Sequence, residues 1–411
     1  MTNETRDMLK SVTTKGVDFI KRQHMAFKVN MARNLVSKFS IGLTQQYQSI
    51  YVSALGAGAV ELGLVSSIGG IASTIFMLPV GWLADRYGIR KTLMSGLVVM
   101  FLSFLSFGLA QSWQMGGIAM GLFTIGFSLM MVACPMICGH TLRNEERVTG
   151  MQLCDTVTAL PRLVAPVVAA YLITRFGGMN VGGLRPLFWI SAAGILVALV
   201  IVYLYLFNPI EPSRKGGSIL HEFSRVFKEG TMVTRWLVFT MISTVPMYLA
   251  FYIPYYAKEI KGADPYVIGL MDSAYWASSV FLALPVGVWA DRYGRKKMVA
   301  ILTPFYCLAL VLLVVAPNDL VLILAGALNG FFMLGAITQS AIGLELVPRE
   351  MLGSWNGLNS LSRGIVNIAA PFIGGLLWVS LGPEYVFYFI IATQAVKLGI
   401  LWTIPSSVTR G

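Results

Sequence analysis

Apolar runs of about 20 residues, the length needed to cross the hydrocarbon core of a bilayer, alternate with short polar breaks along the whole chain. They predict twelve spans, at approximately 31–55, 62–82, 92–111, 115–139, 149–173 and 186–208, then at 235–257, 266–288, 298–316, 320–344, 354–379 and 386–405. The pattern divides the chain into a polar tail over 1–30, a six-helix bundle over 31–208, a polar linker over 209–233, a second six-helix bundle over 234–405 and a short tail over 406–411. Within the linker, Ile219, Leu220, Phe223, Val226 and Phe227 recur at helical spacing, which predicts an amphipathic helix at the membrane surface. The first tail is polar and mixed in charge rather than a short apolar core with a cleavage site, so no secretory signal is read there.

The two sets of six spans are copies. LPVGWLADRYGIRK at 78–91 returns as LPVGVWADRYGRKK at 284–297, displaced by 206 positions. Gly63, Leu64 and Ser67 match Gly269, Leu270 and Ser273 at the same offset, and Tyr47, Tyr51 and Pro166 match Tyr252, Tyr256 and Pro371 at 205. Gly126, Phe127, Gly139 and Glu146 match Gly330, Phe331, Gly343 and Glu350 at 204. Six is an even number, so the second bundle enters with the orientation of the first, and the halves are parallel, related by an axis along the membrane normal.

Composition agrees: 56% of residues are hydrophobic and 12% charged, against about 25% charged in soluble domains. The net charge of +12 could suggest a nucleic-acid partner, but its placement argues otherwise. Of the 31 Lys and Arg, Arg175, Arg185, Lys258 and Lys261 fall in loops on one side, and Arg162, Arg363 and Lys397 inside spans. The remainder lie in the tails, the linker, the loops on the other side or the span ends that face it, which by the positive-inside bias puts both termini in the cytoplasm. Cys134, Cys138, Cys154 and Cys307 all lie within spans and read as packing residues, not as a disulfide framework or a metal site.

The duplicated turn carries a resemblance. Gly81, Asp85, Arg86, Gly88, Arg90 and Lys91 between the second and third spans, and Gly287, Asp291, Arg292, Gly294, Lys296 and Lys297 between the eighth and ninth, match the signature of the major facilitator superfamily of secondary transporters. With twelve spans and a basic central loop, the resemblance covers essentially the whole chain. It implies an all-α polytopic protein of two pseudo-symmetric bundles that works by alternating access. It further implies that Asp85 and its cationic partners latch the halves together on the cytoplasmic side in the outward-open state. Arg143, Glu146 and Arg147, ahead of the fifth span, are candidate partners. Two departures limit the match. Leu122 stands where many proton-coupled members have an Arg four residues before Gly126, and Ala165-Pro166-Val167-Val168-Ala169-Ala170 replaces the glycine-rich motif of drug antiporters, to which Ala370-Pro371-Phe372-Ile373-Gly374-Gly375 in the other half is closer.

Charged residues inside spans are the candidate chemistry, because each is costly in lipid unless paired or wet. Asp155 and Arg162 share a face of the fifth span, about 10 Å apart along its axis. Arg363 sits at similar depth in the eleventh, beside Asn359 and Asn367. Two arginines from opposite halves would suit an anionic or carboxylate-bearing solute; structural pairing with carbonyls is the plainer alternative. The first span carries a polar stripe of Asn34, Lys38, Gln45 and Gln48, with Lys38 near enough to the cytoplasmic end to snorkel. The seventh carries Tyr248, Tyr252 and Tyr255 on one face, broken by Pro246 and Pro254, a discontinuous helix whose rings could close over a solute or simply pack. Gln339 joins the candidate binding residues. Asp155 and Asp272 are the candidate proton carriers, with Glu61 and Glu345 nearer the boundaries.

No phosphate-binding Gly loop with a following Lys and no His pair at metal spacing is present; His24, His140 and His221 are scattered. The sequence therefore predicts no enzyme, cofactor or metal centre, but a monomeric multi-pass protein of the plasma membrane whose partners are the bilayer, a small solute and protons, and not nucleic acid. The alternative cargo is a drug or lipid-like molecule, for which the 21 Met would give an adaptable surface. The alternative class is a non-transporting receptor or scaffold.

Overall fold

The computed structural model describes residues 21–142, 147–206, 231–345 and 352–403. Arg143, Glu146 and the linker stretch 207–230 lie outside the described residues, Gly81, Asp85, Arg147 and Glu345 are described only through their backbone, and nothing is said of the side chains of Cys134 and His140. Fourteen α-helices are described: α1 (Met25–Thr44), α2 (Gln48–Ala54), α3 (Ala59–Tyr87), α4 (Ile89–Leu109), α5 (Trp113–Thr141), α6 (Arg147–Arg175), α7 (Val181–Tyr205), α8 (Thr231–Leu249), α9 (Tyr252–Glu259), α10 (Pro265–Tyr293), α11 (Arg295–Val315), α12 (Asp319–Glu345), α13 (Leu352–Ser380) and α14 (Pro383–Thr403). Eleven segments among the described residues are long and apolar enough to cross a membrane. The pair α1–α2, which carries Asn30, Arg33, Asn34 and Lys38, is the twelfth element of the bundle, buried on its polar face.

The first and seventh spans are both broken, at the same place in the repeat. A 3-10 turn over Gln45–Tyr47 separates α1 from α2. A turn at Ala250 and Phe251 separates α8 from α9, because Pro254 cannot donate to the carbonyl of Ala250 and its ring crowds it.

The duplicated turns are tighter than a run of six polar residues suggests. Only one residue leaves the helix in each, Gly88 at φ 85° and Gly294 at φ 99°, a conformation glycine adopts without steric penalty. The acid and first Arg thus end one helix and the following cations begin the next, which corrects the expected start of the third and ninth spans to Ile89 and Arg295.

Within each half the helices form an open arc: α1 packs on α6 and α7, α4 on α5 and α7, and α3 on α5, while in the second half α8 packs on α13 and α14, α11 on α12 and α14, and α10 on α12. The halves meet along two seams, α3 with α13 and α6 with α10, the first as extensive as the tightest pairing inside either half. Small residues make this approach possible. A methyl group on Gly63 would lie 2.5 Å from the Pro371 carbonyl oxygen, one on Gly70 2.6 Å from that of Asn367, one on Gly375 2.7 Å from that of Ala59 and one on Gly269 2.6 Å from that of Pro166. All of these lie between mid-helix and the face opposite the ADRYG turns.

Candidate functional site

The two seams are copies, and at one level they differ. On α10, Asp272, Tyr275 and Trp276 occur at i, i+3 and i+4 and so share a face; their counterparts on α3, 206 positions earlier, are Ser66, Gly69 and Gly70. Opposite them on α6 stands Arg162, whose counterpart on α13 is Asn367. The α3–α13 seam is closely packed here: Gly70 abuts the Asn367 backbone, and the Asn367 amide donates to the Ser73 hydroxyl at 3.0 Å.

The α6–α10 seam instead holds a charge. The guanidinium carbon of Arg162 lies 4.3 Å from the centre of the Trp276 ring, a cation–π contact that contributes about 0.5–2 kcal/mol depending on desolvation. Tyr275 stands edge-on to Trp276 at 5.1 Å. Asp272 and Tyr275 are both within electrostatic reach of Arg162. Among the described residues no ion pair within 4.0 Å includes Arg162 or Asp272, so the acid offsets the cation without closing on it. The Nε of Arg162 is buried and has no hydrogen-bond partner. Prolines prepare the position, since Pro166 has no N–H to give the Arg162 carbonyl four residues earlier. The result is a positive group fixed on one side by an aromatic face, with donor capacity unspent.

Other candidates are placed around this point. Asp155, about two turns toward the ADRYG end of α6, has a side chain 68% exposed and sits 4.0 Å from Lys38 Nζ. Lys38 does not snorkel outward; it donates to the Thr158 hydroxyl at 2.6 Å. Arg363 on α13 is exposed and interacts electrostatically with Tyr248 of α8. The two arginines thus have different surroundings. Asp155 and Arg363 are charged groups exposed on α6 and α13, and a charge within a span is costly unless it is paired or wet. Gln45 is exposed in the break of the first span, Gln48 is buried with its side-chain nitrogen unpartnered, and Gln339 is buried on α12. Tyr252 and Tyr255 are buried at the far face, Tyr252 stacked on Trp378 at 5.8 Å and Tyr255 tilted against it at 4.9 Å. The break at Ala250 separates them from Tyr248, so the three rings do not act as one face.

The turn cations reach within their own halves. Arg90 donates to the Tyr203 carbonyl at 2.7 Å and Lys296 to that of Trp402 at 3.5 Å, each also facing that residue's ring, at 5.9 and 5.6 Å. Arg86 and Arg292 lie over the neighbouring rings of Tyr87 and Tyr293. Asp291 pairs with Arg295 at 3.3 Å, while Lys91, Gly287 and Lys297 are exposed. Trp276 and Tyr275 escaped the sequence reading, as aromatic residues in an apolar helix carry no signal alone. Aligning the copies would have found them, because only there does a Trp replace a Gly.

A family model described as Major Facilitator Superfamily matches residues 35–264 and 236–408. The multidrug resistance protein MdtG of Serratia proteamaculans is 25% identical, over 87% of this chain and 90% of its own. The crystal structure of the nucleoside transporter NupG superposes with a TM-score of 0.75 at 13% identity, covering 92% of this chain and 98% of its own. That of a D-xylose-proton symporter reaches 0.70 at 15%, covering 93% and 98%.

Proposed function

Because the chain belongs to the Major Facilitator Superfamily, we propose that it is a proton-coupled secondary transporter, working by alternating access, of a small organic solute that presents an anionic group to Arg162. The observation that carries this reading is the buried, unpartnered Nε of Arg162 at a level where the two seams differ. A guanidinium is the natural donor to a carboxylate or phosphate, and Trp276 offers a flat apolar wall beside it.

Charge balance supplies the coupling. In the empty site ionised Asp272 offsets Arg162. In the loaded site the solute's anion takes that place, and Asp272 carries a proton instead. Both states have the same net charge, so both can pass through a closed, low-dielectric intermediate, whereas an anion without its proton leaves a net buried charge. The predicted stoichiometry is one proton moved with each anionic group. Asp155 and Lys38, with Arg363, Tyr248 and Gln45, line the approach from the turn face.

The test is uptake into sealed proteoliposomes of candidate organic anions, with and without an imposed pH gradient. Asp272→Asn mimics the protonated acid: it is expected to abolish pH-driven accumulation while leaving solute exchange at equal pH. Undiminished pH-driven accumulation in this variant removes Asp272 from the mechanism.

A second reading is drug efflux, favoured by the relative named as a multidrug resistance protein and by the 21 Met. It predicts that an apolar cationic dye, and not an organic anion, competes for the site.

A further inference from the structure

Tyr47 and Tyr252 occupy equivalent positions in the repeat, Tyr47 as the last residue of the break in the first span and Tyr252 as the first after the break in the seventh. Both are fully buried, so neither hydroxyl can fall back on water. The Tyr47 hydroxyl lies 2.8 Å from the carbonyl oxygen of Pro265, in the opposite half, and 3.4 Å from that of Pro166, in its own. The Tyr252 hydroxyl lies 3.0 Å from the carbonyl oxygen of Ala59, in the opposite half, and 2.9 Å from that of Pro371, in its own. The offsets of the three pairs, 205 for the tyrosines, 205 for the prolines and 206 for the distant acceptors, are those of the repeat. Gly269 and Gly63 complete the two nests: a methyl on either would come within 3.0 Å of the Tyr47 hydroxyl or 2.8 Å of the Tyr252 hydroxyl.

A phenol has one proton to donate and a carbonyl has none. Each tyrosine therefore faces two acceptors with a single donor, one acceptor on each side of the seam. We propose that Tyr47 and Tyr252 are paired two-position clasps that hold the face opposite the ADRYG turns shut and, as that face opens, swing their hydroxyl proton to the proline carbonyl of their own half. The device explains why a buried polar group sits on a surface that must part. When the halves separate, no donor is orphaned, so opening avoids the penalty of an unsatisfied buried group. The carbonyls keep their helical partners throughout. Tyr47, whose cross-seam contact is the shorter, biases the closed state more than Tyr252, whose two contacts are equal within 0.1 Å.

This inference rests on the alternating-access reading, and the experiment separates the two. Spin labels at Phe176→Cys and Leu381→Cys, exposed on that face in opposite halves, would report its opening in a background with the four native cysteines replaced. Two distance populations are expected in the otherwise unaltered protein; a single one under all pH and solute conditions overturns both the alternating-access reading and the clasp. Given two, Tyr47→Phe should raise the open-to-closed ratio about threefold, because the cross-seam bond is shorter than the in-half bond it is exchanged for, a difference smaller than a whole neutral hydrogen bond; Tyr252→Phe should raise it less, and the double variant by about their product. Tyr51→Phe and Tyr256→Phe are the controls. Their hydroxyls bond Phe107 and Glu384 inside one half, so they lose the same chemistry without spanning the seam and should leave the ratio unchanged. Equal shifts in the clasp variants and the controls, or no shift in the clasp variants, overturn the clasp while leaving alternating access standing. Thermal melts of all five variants exclude misfolding as the cause, because the clasp predicts a changed ratio in proteins that melt alike.

Discussion

The α3–α13 and α6–α10 seams occupy equivalent places in the repeat and are built differently. In the first, Gly70 and Asn367 let two helices touch backbone to backbone. In the second, the same two positions hold Trp276 and Arg162, with Asp272 and Tyr275 beside them. A seam that only has to close can be built of small residues, since close approach gains dispersion and excludes water. A seam that must also bind something needs side chains with unmet capacity. The lesson is that in a duplicated protein the departures from symmetry locate chemistry, while the symmetric parts locate mechanics.

The largest expected effect breaks that contrast directly. Arg162→Ala should lower solute uptake about 100-fold or more, the scale for removing one partner of a buried charge pair, whereas the sister change Asn367→Ala should lower it less than about threefold, the loss of one neutral hydrogen bond. Comparable losses in proteoliposome uptake would mean that the seams are functionally equivalent. Next in size, Gly70→Ala forces a methyl to 2.6 Å from a backbone oxygen that cannot give way. Overpacking of this kind costs about 1–3 kcal/mol, and the expected outcome is a roughly tenfold rise in the open fraction at the far face, read by interlabel distances, with solute affinity unaltered. The smallest effect sharpens the other side: Trp276→Leu should raise KM about threefold to tenfold with kcat nearly constant, because it removes a cation–π contact made equally before and during transport. A fall in kcat alone would assign Trp276 to the conformational step.

Much of this was legible beforehand. Hydropathy yielded the spans, the 206-residue repeat yielded parallel halves, and Arg162 and Asp272 stood out singly as charges in apolar helices. Their juxtaposition did not, since no local rule joins residues 110 positions apart on helices of different halves. Tyr252 illustrates a subtler limit. Spacing grouped it with Tyr248 as a binding face, but the break imposed by Pro254 turns it into the seam, and helical periodicity cannot be carried across a break. The turn motif was also read as more loop than it is, because a charge cluster looks like a loop whether one residue or six leave the helix.

The bonds from Arg90 to Tyr203 and from Lys296 to Trp402 have a mechanical meaning. Each ties the start of a half's third span to the end of its sixth, hooping the bundle at its turn-side rim and resisting torsion there. A stiff body pivoting at mid-height acts as a lever with equal arms. α3 and α10 each run 29 residues, so each arm is about 20 Å long at 1.5 Å rise per residue. A tilt of about 10° then moves either rim by roughly 3–4 Å, enough to draw a phenol out of reach of a carbonyl at one end while admitting a metabolite-sized gap's closure at the other. In the proposed alternating-access cycle, the hoops would make the displacement at the two rims one and the same event.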